Sequence, residues 1–422
     1  MLSKLLNFLN QIKNFPFYFI SPLVYAIGTA SEAILLASYK IEGTKKKVII
    51  LSPYFFQKIL KYNVCNKSLF SDLIINKSKV NNNFVFKFFL HFFFEIEFFI
   101  TRLLILILDE FNIKTDEKFR FPCIGINKIS TYKDINNDNF YKLPFMKIKP
   151  FLGSRTFIDL DYNKKKKCKE ILKEITFNRK FVCLHVRDSF YKKNNIKNYR
   201  NSNINNYIQT IEYLIKKNYF IFRLGNSPVN KINFANKFFL DYPYSPIKSD
   251  LMDLFLIKEC DFYIGNQSGT YDTAKMFNKP KLITNMVEAF TSYPNRINDR
   301  GIFKKILDTK KDEIIKINEF INMPFKYNDP EQSVADLEFI ENTSEEILHG
   351  TIEFVNLINN NKSSQKSILQ KKFDIFHKTA FARHYNSKDI SLIKNIDGLK
   401  ITRWMRSFKG TMCENYLKVN FI

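Results

Sequence analysis

Phe262-Tyr263-Ile264-Gly265-Asn266-Gln267-Ser268-Gly269-Thr270-Tyr271 is the stretch that decides the fold of this chain. A short apolar run, a polar turn bounded by glycines, and helical spacing from about Tyr271 to Phe277 read as strand, turn and helix. Lys281-Leu282-Ile283-Thr284 follows as another short strand, and Asp250 to Glu259 precedes as a helix. Upstream the alternation continues. Phe181-Val182-Cys183-Leu184-His185-Val186-Arg187 reads as a buried strand, Tyr207 to Ile215 as an amphipathic helix, and Phe220 to Leu224 as a strand closed by Gly225. Lys164 to Ile175 reads as a solvated, lysine-rich helix. Repeated strand–helix alternation of this kind predicts a doubly wound parallel sheet.

The first half is less regular. Ser21 to Ile27 reads as a strand, Gly28-Thr29-Ala30-Ser31 as its break, Glu32 to Tyr39 as a helix and Val48 to Leu51 as a short strand, which together suggest a parallel βαβ unit. Phe55 to Leu108 is mostly helical in character, with a break at Asn81 to Asn83. Phe119 to Leu152 carries Pro122, Pro144 and Pro150 with little periodicity, and the domain boundary is expected near its end. In the C-terminal part, Thr343-Ser344-Glu345-Glu346 offers a capping box ahead of a helix through Leu348, Ile352 and Val355. A chain of 422 residues exceeds one ordinary core, so the expected division is 1–150, 151–335 and a helical segment 336–422.

Composition narrows the function classes. The net charge of +25 favours anionic partners, although lysine supplies most of it alongside many Asn, Ile and Phe residues, a bias that base composition alone can produce. Arginine clusters with interleaved stacking aromatics are missing, which argues against nucleic acid as a partner. Six cysteines lie scattered without a C-x-x-C pair, matching neither a zinc site nor a disulfide framework, so reduced thiols in a cytoplasmic setting are expected. The most apolar stretch, Phe84 to Leu108, is interrupted by His91, Glu95, Glu97 and Arg102, which speaks against a spanning helix. Leu2, Leu5, Leu6, Leu9 and Ile12 fall at helical spacing, as in an amphipathic helix that lies on a core or on a membrane.

Three local patterns carry the candidate chemistry. His185-Val186-Arg187-Asp188 ends a predicted buried strand, where ligands of open α/β sheets gather. Arg187 offers a fixed fork of donors suited to a diphosphate, and His185 can hydrogen-bond a base or sugar. A surface pair of Arg187 and Asp188 beside a satisfied histidine would give the same letters. The turn Gly265-Asn266-Gln267-Ser268-Gly269-Thr270 joins strand to helix, where free N–H groups and hydroxyls suit an anion; an ordinary capped turn is the plain alternative. Asp250 and Asp253 stand at the start of a helix, as dipole partners or as acceptors for a ribose or nucleobase. Arg223, on the strand Phe220 to Leu224, completes the donor-binding set.

Taken together, His-Val-Arg-Asp, Ser249-Asp-Leu-Met-Asp-Leu-Phe255, Cys260-Asp-Phe-Tyr-Ile-Gly-Asn-Gln-Ser-Gly-Thr270 and Phe339-Ile-Glu-Asn-Thr-Ser-Glu-Glu-Ile347 resemble a bacterial glycosyltransferase family linked to surface polysaccharides. The layout is more distantly similar to the GDP-fucose-dependent fucosyltransferases, with a departure at Asp188, where a second arginine is often found. The resemblance covers about Phe181 to Ile358. It implies a GT-B-like fold, two Rossmann-like domains facing across a cleft, with a nucleotide-sugar donor on the C-terminal one and a glycan or lipid-linked acceptor on the other. By that resemblance Arg187 neutralises the donor's β-phosphate, Asp253 lies near the base and Ser268 touches the phosphates.

Such a site works by stabilising charge on the leaving diphosphate, with no metal and no cofactor beyond the donor. An acceptor hydroxyl would also need a base, for which Glu32 and Asp188 are the candidates. Two other readings remain: a polysaccharide pyruvyl transferase-like enzyme, or a non-catalytic basic scaffold at the membrane surface. A cytoplasmic protein, peripheral at the inner membrane face, fits the composition.

Overall fold

The computed structural model of this chain describes residues 2–22, 26–51, 64–80, 84–111, 124, 158–188, 199–226, 231–289, 293–323, 336–360, 366–385 and 410–421. The expected boundary near 150 and the break at 81–83 lie outside them, as does Cys123.

The chain opens with α1 (Leu2–Gln11), β1 (Phe17–Ile20), α2 (Ile27–Lys40) and β2 (Lys47–Ile50). β1 and β2 pair in parallel, so the expected βαβ unit is present. Its strand lies earlier than the sequence suggested, and Gly28 is not a break but part of the first turn of α2. The reason is a contact: a Cβ on Gly28 would fall 2.8 Å from the Cα of Gly269. Glycine serves there to bring two helices together, not to turn the chain. Side chains alternate along both strands. Ile20, Val48 and Ile50 enter the main core, whereas Phe19, Ile49 and Leu51 join Leu6 and Phe94 in a second cluster.

Next come α3 (Ser68–Ser71), β3 (Leu73–Ile75), β4 (Ser78–Lys79) and the long α4 (Phe84–Glu110). The hairpin β3–β4 interrupts a region expected to be mostly helical. It is completed across the chain by β5 (Ile158–Leu160), antiparallel to β3. Such a partner lies some eighty residues away, beyond what local periodicity can register.

The remaining chain runs α5 (Tyr162–Ile175), β6 (Phe181–His185), α6 (Ile208–Lys216), β7 (Phe220–Leu224), β8 (Phe239–Asp241), α7 (Asp250–Glu259), β9 (Phe262–Gly265), α8 (Gly269–Met276), β10 (Lys281–Met286) and β11 (Arg300–Phe303). It continues through β12 (Lys305–Asp308), β13 (Glu313–Ile315), α9 (Ile317–Asn322), β14 (Leu337–Ile340), α10 (Ser344–Asn359), α11 (Ile368–Tyr385), β15 (Thr411–Met412) and α12 (Glu414–Asn420). Seven strands form one parallel sheet in the order β15-β11-β10-β9-β6-β7-β8. This is the α/β fold expected of the chain. β7, β9 and β10 are buried along their whole length, as strands covered by helices on both faces must be. Phe262 packs its ring at 5.3 Å against Phe354 of α10, while the next residue, Tyr263, turns its hydroxyl to Thr270 of α8. Helices therefore cover opposite faces of the sheet.

Counted from β6, the sheet has the doubly wound order 3-2-1-4-5-6, with β6 as its first strand and β9 as its fourth. The chain runs outward from β6 to β7 and β8, then crosses back to β9. The switch point between β6 and β9 is where a crevice opens at the carboxyl ends of the strands.

Candidate functional site

Two of the predicted motifs border that switch point. β6 ends in His185 and leads into Arg187 and Asp188; β9 ends in Gly265 and leads through Asn266, Gln267 and Ser268 into α8. The strands approach so closely that a Cβ on Gly265 would fall 2.3 Å from the carbonyl oxygen of His185. Asn266, fully buried, locks the two loops together. Its Oδ1 accepts the backbone N–H of Arg187 at 2.9 Å, and its Nδ2 donates to the carbonyl of Arg200 at 2.6 Å. The N–H of Ser202 donates to the carbonyl of Arg187 at 2.9 Å, so Arg187 is fixed from both sides of its backbone. Its side chain is buried as well.

Ser268 stands at the N-cap of α8 yet does not cap it. Its Oγ lies 3.2 Å from Nδ1 of His185 and 3.0 Å from Oγ1 of Thr270, which in turn lies 2.8 Å from the Tyr263 hydroxyl. A histidine, two alcohols and a phenol form one polar chain beside the helix N-terminus. Burial, with the charges of Arg187 and then Arg223, pushes the His185 pKa down to about 3. His185 is therefore neutral at physiological pH, a hydrogen-bonding group rather than a cation.

The other predicted residues divide. Gln267 is spent on the fold: its Oε1 accepts the N–H groups of Val287 and Glu288 at 2.8 and 2.9 Å, and its Nε2 donates to the Glu288 carbonyl at 2.9 Å. This holds the loop after β10 against the switch point. Arg223, buried in β7, donates to Asp241 at 3.3 Å, close enough to His185 to act on its titration. Asp250 accepts the N–H of Lys67 at 2.8 Å, and Asp253 pairs with its near neighbour Lys248 at 2.6 Å. Burial raises the Asp253 pKa despite that lysine. Glu32 faces α8, where Lys275 donates to it at 2.9 Å.

Sequence reasoning missed four charged groups near these elements. Asp272, in the first turn of α8, has its pKa pushed well up by burial and then by the charge of Glu32. Its Oδ2 would lie 2.6 Å from a Cβ on Gly28. Arg200 and Glu288 pair at 3.7 Å beside Asn266 and Gln267. Lys304, just after β11, donates to the Asn201 carbonyl at 2.7 Å, and burial lowers its pKa to about 8. A position just past a predicted strand was the available signal for Glu288, and the first turn after Ser268 for Asp272.

A cavity of about 700 Å³ lies elsewhere, between Arg300, Glu353, Gln370, Thr411 and their neighbours. Arg300 begins β11 and Thr411 begins β15, so that cavity opens at the amino ends of the strands, away from the switch point. Among the described residues, no group of three or more His, Cys, Asp or Glu side chains is placed to hold a metal ion. Cys65, Cys168, Cys183, Cys260 and Cys413 are free thiols.

No protein-family model matches this chain. No curated protein matches it either. A solved structure with some similarity is the E. coli ADP-heptose LPS heptosyltransferase II: 10% identical, covering 63% of this chain and 83% of that one, with a TM-score of 0.33. At that similarity, the chemistry of this chain rests on its own residues.

Proposed function

We propose that this protein is a glycosyltransferase that binds a nucleotide-sugar at the switch point between β6 and β9 and passes the sugar to a surface-glycan or lipid-linked acceptor. One observation carries the reading: the buried Arg187 and the N-terminus of α8 border the same switch point of a doubly wound sheet. Ligands of such sheets bind at the switch point, and a helix N-terminus there favours phosphate. The likeness of the motifs to surface-polysaccharide glycosyltransferases supports it.

In this reading Arg187 and the α8 N-terminus take up the charge that develops on the leaving diphosphate, and the hydroxyls of Ser268 and Thr270 donate to its oxygens. Neutral His185 orients Ser268 or meets the donor directly. Such a site needs neither metal nor additional cofactor. A GDP-linked sugar is one donor to test, with Asp188 as the departure from the fucosyltransferase pattern. Residues 1–150 would supply the acceptor side, 151–335 the donor side and 336–422 a mostly helical segment that also carries β14 and the edge strand β15, as in a GT-B enzyme of the cytoplasm. Asp188 and Glu32 are the candidate bases.

The test is thermal unfolding of the purified protein with a panel of nucleoside diphosphates and nucleotide-sugars, run in parallel on Arg187→Ala. A ligand at about 100 times its dissociation constant adds about 2.7 kcal/mol to the folded state. A rise in Tm with one nucleotide that is absent in Arg187→Ala is the expected result and names the donor class. A rise with phosphoenolpyruvate alone would move the assignment to a pyruvyl transferase, and no rise with any of them would leave a non-catalytic scaffold.

A further inference from the structure

α4 is turned inside out relative to a helix of an ordinary soluble domain. Phe89, Phe93, Ile100, Leu103, Leu104 and Ile107 are each about half exposed. At about 100° per residue they fall within a sector of roughly 100°, forming a continuous apolar stripe about 27 Å long. The opposite face, which packs inward, carries His91 and Glu95, both buried, between Phe94 and Phe98. A surface helix normally buries its apolar stripe and shows its polar face to water. Here the polar groups are sequestered and the apolar stripe is presented.

α1 repeats the pattern beside it. Leu6 is buried against Phe19, Ile49 and Phe94, while Leu5, Phe8 and Ile12 are exposed. Both helices lie on the same face of the β1–β2 pair. They are fastened together where Ser3 donates to Glu97 through its N–H at 3.0 Å and its hydroxyl at 2.6 Å. Exposed lysines accompany the stripe: Lys4 lies in the first turn of α1 and Lys13 just past its end, and Lys45 and Lys47 stand beside that C-terminal end. Lys46 fixes that arrangement by donating to the carbonyls of Asn10 and Ile12 at 3.1 and 2.8 Å.

We infer that the α1–α4 face docks on the surface of an anionic phospholipid bilayer, its apolar stripe entering the interface and its lysines meeting the lipid headgroups. An apolar patch rimmed by lysine, on a chain of net charge +25, has the chemistry of a negatively charged interface and not of a basic or neutral partner. Among the described residues, no helix is long and apolar enough to cross a membrane, so the helices lie on the surface. This inference uses no nucleotide and stands apart from the donor site.

The experiment is co-sedimentation of the full chain, without nucleotide, with vesicles of phosphatidylcholine alone and with vesicles that also contain phosphatidylglycerol. Binding to the mixed vesicles is expected, with weaker binding to phosphatidylcholine. Phe93→Ser combined with Leu104→Ser should lower the partition by about tenfold or more. Each of Lys13→Glu and Lys47→Glu should weaken binding to the mixed vesicles by about fivefold or more and leave phosphatidylcholine binding little changed. Should the serine variant fail to fold, Leu104→Trp keeps the stripe apolar, and quenching of its added fluorescence by brominated lipid reads insertion directly. Absence of vesicle binding by the wild-type chain overturns the inference, whether sedimentation then shows the stripe buried in a dimer or the protein stays monomeric. Equal binding to both vesicle types overturns the assignment of lysines to anionic headgroups.

Discussion

His185 sets the pH behaviour of the switch point, and the sign of its effect follows from its surroundings. Its pKa falls from an ordinary 6.5 to about 3 because burial and two guanidinium groups oppose a proton there. Between those values the unfolded chain binds a proton that the folded chain refuses. The contribution of His185 to stability is therefore intact above about pH 6.5 and erodes as the pH falls toward 3. Once below 6.5, the slope approaches about 1.4 kcal/mol per pH unit. His185→Gln removes the titration while keeping a polar partner for Ser268. The expected outcome is that wild type loses stability relative to His185→Gln as the pH is lowered from 7 to 5, read by chemical denaturation at each pH. A difference that stays flat across that range would mean the ring is already solvated.

Asn342 and Thr343 show at the scale of elements why neighbouring polar residues are not interchangeable. Within β10 the pairing to β11 shifts register between Ile283 and Met286, and Asn285 in that interval takes φ 51°. Asn342 closes the gap: its Oδ1 accepts the Asn285 N–H at 2.7 Å, its own N–H donates to the Asn285 Oδ1 at 2.7 Å, and its Nδ2 donates to the Phe303 carbonyl at 2.8 Å. The next residue, Thr343, caps α10 in the reciprocal box with Glu346. Asn342→Ala would strand buried donors and acceptors and should cost about 3 kcal/mol, whereas Thr343→Ala should cost about 1 kcal/mol. Urea unfolding of the two variants checks the ranking, and equal losses would put the cap, not the bulge, at the centre of this corner. The capping box was legible in four consecutive letters because its partners are local. So were β7, α7 and the β9–α8 turn, whose periodicity and punctuation lie within ten residues. Asn342 carries no local signal of its role, since its partner is 57 positions away. β8, β15 and the β3–β5 pairing escaped for the same reason: each is a strand of two or three residues defined by a neighbour that the local sequence does not name. Of the residues named from the sequence, Arg187, Asn266 and Ser268 follow strand ends and border the switch point, whereas Asp250 and Asp253 lie in the first turn of α7 and bond to the Lys67 N–H and to Lys248.

Across the whole molecule, the contact between α2 and α8 decides whether the N-terminal βαβ unit moves as a separate body. A sequence of this length invites the picture of two domains that open and close over a donor. The structure ties the first eighty residues to the half of the chain that carries the seven-stranded sheet at several places. Gly28 and Gly269 bring the two helix N-termini into backbone contact, Ser31 and Thr273 share a buried hydrogen bond of 2.9 Å, and Glu32 accepts from Lys275 at 2.9 Å. Asn66 donates to the Asp250 carbonyl at 2.8 Å, and β3 pairs with β5. Ile20, Ala30 and Ile34 belong to the same hydrophobic core as Leu184, Ile264 and Leu282. Segments that share a core unfold together, so calorimetry should show one transition for all these residues. Gly28→Val is the sharpest probe. Its branched side chain would meet Gly269 backbone and the Asp272 carboxylate, and overpacking at such a contact costs about 1–3 kcal/mol. If the unit is one body, Gly28→Val lowers a single Tm and hydrogen exchange accelerates in β9 and β10 as well as in β1 and β2. If an early transition splits off and exchange in β9 and β10 is unchanged, the N-terminal unit is an independent domain, free to close over the switch point.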